Sequence, residues 1–180
     1  MADTLQKAMN ALDQILSQTK LDDVSAESQG YSELPNGYYL CEVDKTNFGE
    51  SKTSHLPMVS FTFKIIEDGT GFIYTENEVS PFTIKNTKNR LIFKHYVFKD
   101  ESSVKRFASD MLKFEGDTPG ESLLPKEAFI TSETMLDALD ILVGYRIFIQ
   151  ADTNEKEDGT KSTWYNLISW KRAAELELIS

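Results

Sequence analysis

The sequence predicts a mainly β protein with helices: a five-stranded antiparallel barrel, a helical segment inserted before its closing hairpin, and a separate N-terminal helix. Three observations predict it. Apolar residues alternate with period two through most of residues 37–98 and 145–170. Helical periodicity is confined to 3–19, 103–114 and 132–144. Turn residues divide these runs at short intervals, ending with Asp158-Gly159 between the last two strands.

In chain order, residues 3–19 place Leu5, Met9, Leu12 and Leu16 on one helical stripe with Ile15 beside it, and Asp3 or Thr4 can cap the start. The spacing also fits a short seam between two copies, so these four residues are the candidate oligomerisation surface. Residues 20–36 are polar and acidic with Gly30 and Pro35, and read as a linker. Residues 37–43 are the first strand, and a polar loop follows at 47–56. Residues 57–66 are the clearest strand, with Val59, Phe61, Phe63 and Ile65 on one face and Met58, Ser60, Thr62 and Lys64 on the other. Residues 67–71 read as a turn and 72–80 as a third strand.

The run 90–98 is a further aromatic and β-branched strand. Ser102 or Ser103 can cap a helix over 103–114, and 115–125 is a loop. Ser132 can cap a helix ending at Gly144. Strands at 145–152 and 162–170 close the domain. The expected organisation is residues 1–33 as helix and acidic linker, 34–172 as the barrel, and 173–180 as a short tail. A helix between strands three and four is the oligonucleotide/oligosaccharide-binding (OB) arrangement. An SH3-like barrel or a flat α+β sandwich fits the same pattern.

No apolar run approaches the ~20 residues of a membrane span, and the first residues lack a secretion signal's apolar core. The single cysteine, Cys41, has no partner for a disulfide, so a reducing cytoplasm is the expected compartment. The net charge of −10 argues against nucleic acid as a partner, but it is segregated. Residues 1–36 carry 2 basic and 6 acidic side chains, 37–114 carry 11 and 10, and 115–143 carry 1 and 7. Residues 85–99 hold Lys85, Lys88, Arg90, Lys94 and Lys99 with no acid among them.

No constellation points to catalysis. There is no glycine-rich phosphate loop and no Gly-x-Ser-x-Gly elbow. His55 and His95 have no Cys or His partner at metal-ligand spacing. Cys41 falls on the core face with Tyr39 and Val43, which suits a small buried hydrophobe. The acids at 22–23, 67–68 and 155–158 sit in turns and linkers, as solvated acids do. The expectation is a non-enzymatic binding protein with no catalytic residue, cofactor or metal.

Single-stranded nucleic acid is held by a basic groove and by aromatic faces on which bases stack, each stack contributing roughly 1–3 kcal/mol. Ile92, Lys94, Tyr96 and Phe98 share one side of their strand, opposite Leu91, Phe93, His95 and Val97. Arg146 and Phe148 share a side of theirs, as do Trp164 and Asn166. Such interleaving suits a stacking groove. It equally suits a core of aromatics with a rim of solvated lysines.

Four stretches resemble a known family: Leu34-Pro35-Asn36-Gly37-Tyr38-Tyr39 opening the first strand, Glu50-Ser51-Lys52 ahead of Pro57-Met58 and its strand, residues 139–144 leading into the strand at 145–150, and Asp158-Gly159-Thr160-Lys161 in the last hairpin. Across about residues 33–172 the chain resembles a bacteriophage family of OB-fold proteins, regarded as single-stranded-DNA-binding proteins of the replication and recombination module. The helix and linker of 1–36 fall outside that pattern, and the C-terminus is only a faint version of the acidic tail by which bacterial single-strand binders recruit partners.

The resemblance implies a protein of the host cytoplasm that coats single-stranded DNA without sequence preference. Its partners would be the DNA, further copies of itself, and phage or host replication and recombination proteins, with no membrane. On this reading Lys52, Lys85, Lys88, Arg90, Lys94 and Arg146 track phosphates, while Tyr96, Phe148 and Trp164 stack bases. Two other readings draw on the remaining residues. An acidic decoy that mimics DNA and blocks a host nucleic-acid enzyme would use the charge of 1–36 and 115–143. An assembly protein would use the helix at 3–19.

Overall fold

The computed structural model describes residues 2–18 and 34–179, in two units divided between Glu33 and Leu34. Of the linker expected over 20–36, residues 20–33 lie outside the described residues. In the first unit, helix α1 spans Ala2–Gln18, with Asp3 in its first turn, where a carboxylate suits the helix dipole. Leu5, Met9, Leu12 and Leu16 are all exposed.

The second unit is an open antiparallel sheet of seven strands with three helices. The strands are β1 (Gly37–Glu50), β2 (Pro57–Ile65), β3 (Gly69–Tyr74), β4 (Val79–Ile84), β5 (Leu91–Val97), β6 (Arg146–Glu155) and β7 (Lys161–Ile168). Helices α2 (Glu101–Met111) and α3 (Ser132–Leu142) lie between β5 and β6, and α4 (Trp170–Glu175) follows β7.

β1 organises the sheet. One edge carries β6 along Gly37–Glu42; the other meets β3 at Tyr38 and β2 from Cys41 onward. β5 then pairs with β2, β4 with β3, and β7 with β6. The register of β1 on β2 shifts between Val43 and Lys45, which leaves Asp44 as the extra residue of a bulge. The bulge reverses the alternation. Tyr39, Cys41 and Val43 face the core before it, whereas Lys45 and Asn47 face outward after it.

Two strands differ from expectation. β1 runs through the expected polar loop to Glu50, because β2 supplies a ladder as far as Pro57. The run 72–80 is broken by a turn at 75–78, where the Thr75 and Glu78 backbones bond and the Thr75 hydroxyl accepts the Glu78 N–H. β3 and β4 therefore form a hairpin. It packs closely on the core: Gly69 lies under the Tyr39 ring, where any β-carbon would collide.

The expected closure into a five-stranded barrel is not seen. Among the described residues no ladder joins β5 to β7. Two lysines reach β7 instead, one from β5 and one from just beyond α2. Lys94 Nζ donates to the Tyr165 carbonyl at 2.6 Å, and Lys113 Nζ to the Leu167 carbonyl at 3.0 Å.

The core lies between the concave side of the sheet and the inserted helices. Phe107 of α2 is its hub, with edge-on ring contacts to Tyr96 (5.1 Å), Phe98 (5.2 Å) and Phe129 (6.0 Å). Capping residues set where the helices begin. Asp100 and Ser103 form a capping box on α2, and Thr131 and Thr134 form one on α3, one residue before the expected serine. Gly144 ends the second helical segment at φ +91, a conformation that costs glycine little. The C-terminal segment also belongs to the fold: Ser169 caps α4, Ala173 is buried, and Trp170 packs on Phe148 with ring centroids 5.4 Å apart.

Candidate nucleic-acid interface

The convex face of β1, β2 and β5 is built from three cross-strand rows. Lys45, Thr62 and Phe93 stand side by side in one. Asn47, Ser60 and His95 form the next, with Ser60 Oγ 2.9 Å from His95 Nδ1. Glu42, Lys64 and Leu91 form the third, which Arg146 extends onto β6. Phe93 is 58% exposed, an unusual position for an aromatic ring in the middle of a paired strand. Lys45 and Lys64 are exposed and make no ion pair among the described residues. Arg146 is only partly neutralised, its Nε lying 3.7 Å from Glu42.

The loop at 85–90 borders this face. Asp68 accepts the backbone N–H groups of Thr87 and Lys88 at 3.0 Å each, and these bonds hold its carboxyl below the usual range. The buried Thr87 hydroxyl accepts the Gly69 N–H and donates to the Ile84 carbonyl. Lys88 is thereby fixed beside Lys64, and both line a pocket of 340 Å³ together with Glu42, Asp44, Ile66 and Asn89.

The residues expected from sequence are dispersed. Lys88 and Arg146 border the face, and Lys85 is exposed in the same loop as Lys88. Arg90 is half-buried, its carbonyl bonded to the Ile65 N–H. Lys52 is exposed in the turn after β1. Trp164 is 61% exposed on β7, paired in register with Asp152.

Three expected residues take other roles. Tyr96 is 7% exposed; it donates to Asp110 Oδ2 at 2.8 Å, and burial and then that carboxylate push its phenol far above the usual value. Phe148 is 5% exposed beneath Trp170. Neither offers a face to a base. Lys94 is half-buried in the β5–β7 seam, and burial lowers the pKa of its ammonium. The reason is an inversion of β5: Ile92, Lys94 and Tyr96 point inward, while Leu91, Phe93 and His95 point out.

Phe93, His95, Lys45 and Lys64 were not singled out by the sequence. The polar face of β2 was visible in it, but the register that sets Phe93 beside that face was not. Among the described residues no group of His, Cys, Asp and Glu could hold a metal ion, and no helix is long and apolar enough to cross a membrane. Cys41 is buried, and burial pushes its thiol up to about 12, away from nucleophilic chemistry.

A second concavity of 690 Å³ lies between the β3–β4 hairpin and the C-terminal segment, with Phe72, Tyr74 and Pro81 on one side and Arg172, Glu175 and Leu178 on the other. Its one arginine pairs with Glu175 at 3.1 Å. No protein-family model matches the chain, and no curated protein matches it.

Proposed function

We propose that the chain binds single-stranded DNA without strong sequence preference, through the convex face of β1, β2 and β5, as a protein of a phage replication or recombination module. The observation that carries this reading is the exposed Phe93 ring, set in register with Thr62 and, one strand further, Lys45, and flanked by Lys64 and His95. An aromatic face for a base and lysines for the adjoining phosphates are what sequence-independent single-strand binding requires. The sheet supports the reading as an opened OB-like arrangement. β1 pairs with β2 on one edge and β6 on the other, helices separate β5 from β6, and the β3–β4 hairpin is an addition.

Titration of a fluorescent oligo-dT at ~50 mM salt with micromolar protein tests the proposal. Binding should weaken with salt at a log–log slope of roughly −2 to −3 if Lys45, Lys64, Lys88 and Arg146 each neutralise a phosphate. Phe93→Ala should cost roughly 5- to 100-fold in affinity, the equivalent of one lost stack. Absence of binding by the unaltered chain sinks the proposal. Unchanged affinity of Phe93→Ala combined with Lys45→Glu and Lys64→Glu moves the site off this face.

A further inference from the structure

We propose that α1 is an interface with a second copy of the chain, and that the two α1 helices pair antiparallel. Leu5, Met9, Leu12 and Leu16 are exposed on a single stripe, at intervals of four, three and four residues. That spacing reads the same from either end. Turning one helix over about the point midway between Met9 and Leu12 therefore sets Leu5 against the partner copy's Leu16, and Met9 against its Leu12.

The flanks select the orientation. At about 100° per residue, Gln6 and Asp13 line one side of the stripe and Ala8 and Ile15 the other. An antiparallel pair brings like flank to like flank, so Gln6 meets the second Asp13 as an amide-to-carboxylate hydrogen bond and Ala8 meets the second Ile15 as an apolar contact. A parallel pair would press each Asp13 against the apolar flank, desolvating a carboxylate without a partner. Antiparallel helix dipoles also attract. The chemistry thus fits another α1 better than a partner with a charged groove, since the stripe carries no charge to steer one. Helices of 17 residues make a contact at the small end of specific interfaces, so the dimer should be weak and its equilibrium concentration-dependent.

Sedimentation of the full chain over a wide concentration range is the first test. The expected result is a mass of two chains that falls toward one on dilution, and a single-chain mass for Leu12→Asp at every concentration. Circular dichroism on that variant confirms that its sheet is intact. A single-chain mass for the unaltered protein, or a dimer that persists in Leu12→Asp, overturns the proposal.

Orientation is read by cross-linking with oxidised glutathione as the oxidant, for which the buried Cys41 is silent. Full-length Leu5→Cys mixed with Leu16→Cys should form the mixed disulfide, while Leu5→Cys alone should stay uncross-linked. Efficient cross-linking of Leu5→Cys alone overturns the antiparallel pairing.

Discussion

The convex surfaces of the two halves of the sheet begin from the same pattern and end differently. On β2 and β5 the outward residues include Leu91, Phe93 and His95, and nothing among the described residues covers Phe93. On β6 and β7 the outward row holds Phe148 and Ile168, in register with Leu40 of β1, and α4 lies over it with Trp170 against Phe148. Alternation placed an aromatic ring on the outer face of the sheet in both halves. A six-residue helix then turned one into a second, smaller core and left the other as a ring in water. An outward-facing aromatic is therefore a binding element only where no later segment returns to bury it.

The largest expected effect tests that contrast directly. Phe148→Ala should cost about 3–4 kcal/mol of unfolding free energy, as truncation of a buried phenylalanine does. Phe93→Ala should change it by no more than about 0.5 kcal/mol. Urea unfolding of both variants measures the difference, and equal losses would mean that the two rings are equally packed.

The next effect separates structural from ligand-facing cations. Lys94→Glu should cost about 2–4 kcal/mol, because it sets a half-buried carboxylate beside Asp110 and against the Tyr165 carbonyl. Lys64→Glu on the open face should be nearly neutral to folding and should weaken oligonucleotide binding several-fold. A stable Lys94→Glu variant would show that the seam holds without its lysine.

The smallest effect concerns alkaline pH. Burial pushes the Tyr39 phenol and the Cys41 thiol each up to about 12, from ordinary values of 10.0 and 9.0, and it raises the Tyr96 phenol as well. All three folded values lie above the unfolded ones. The neutral groups therefore contribute their full stability below those unfolded values and lose it as pH rises through and beyond them. Unfolding free energy should decline from about pH 9 upward, and Cys41→Ala should flatten the start of that decline. None of the three groups lies on the outward row that holds Phe93, so Phe93→Ala should leave the slope unchanged.

Much of the frame was legible in the chain. The strand at 57–65 was readable from strict alternation, a helix near 103–114 from its Val104, Phe107 and Met111 spacing, though it runs from Glu101 to Met111 with Asp100 as its cap, and the end of α3 from Gly144. The β3–β4 hairpin was missed because its turn, Thr75 to Glu78, carries no glycine or proline and is made by a threonine hydroxyl. Lys94 and Tyr96 were misplaced for one reason: both faces of β5 carry aromatic and aliphatic residues, so alternation separates them without saying which is inside.

By itself the sequence determined that this is a mainly β protein with an amphipathic helix near its first residues, since periodicity and caps are local properties of the chain. It also determined that basic residues cluster over 85–99 while acids gather elsewhere. Only the tertiary structure decided which face of β5 is inside, because Phe107 of α2 takes Tyr96 into the core and the pairing with β2 turns Phe93 out beside Thr62, in the same row as Lys45. It alone decided that Phe148 is sealed by α4 and that Lys94 bridges a seam. Those outcomes depend on contacts between residues far apart in sequence, such as Lys94 with Tyr165, for which a local pattern holds no information.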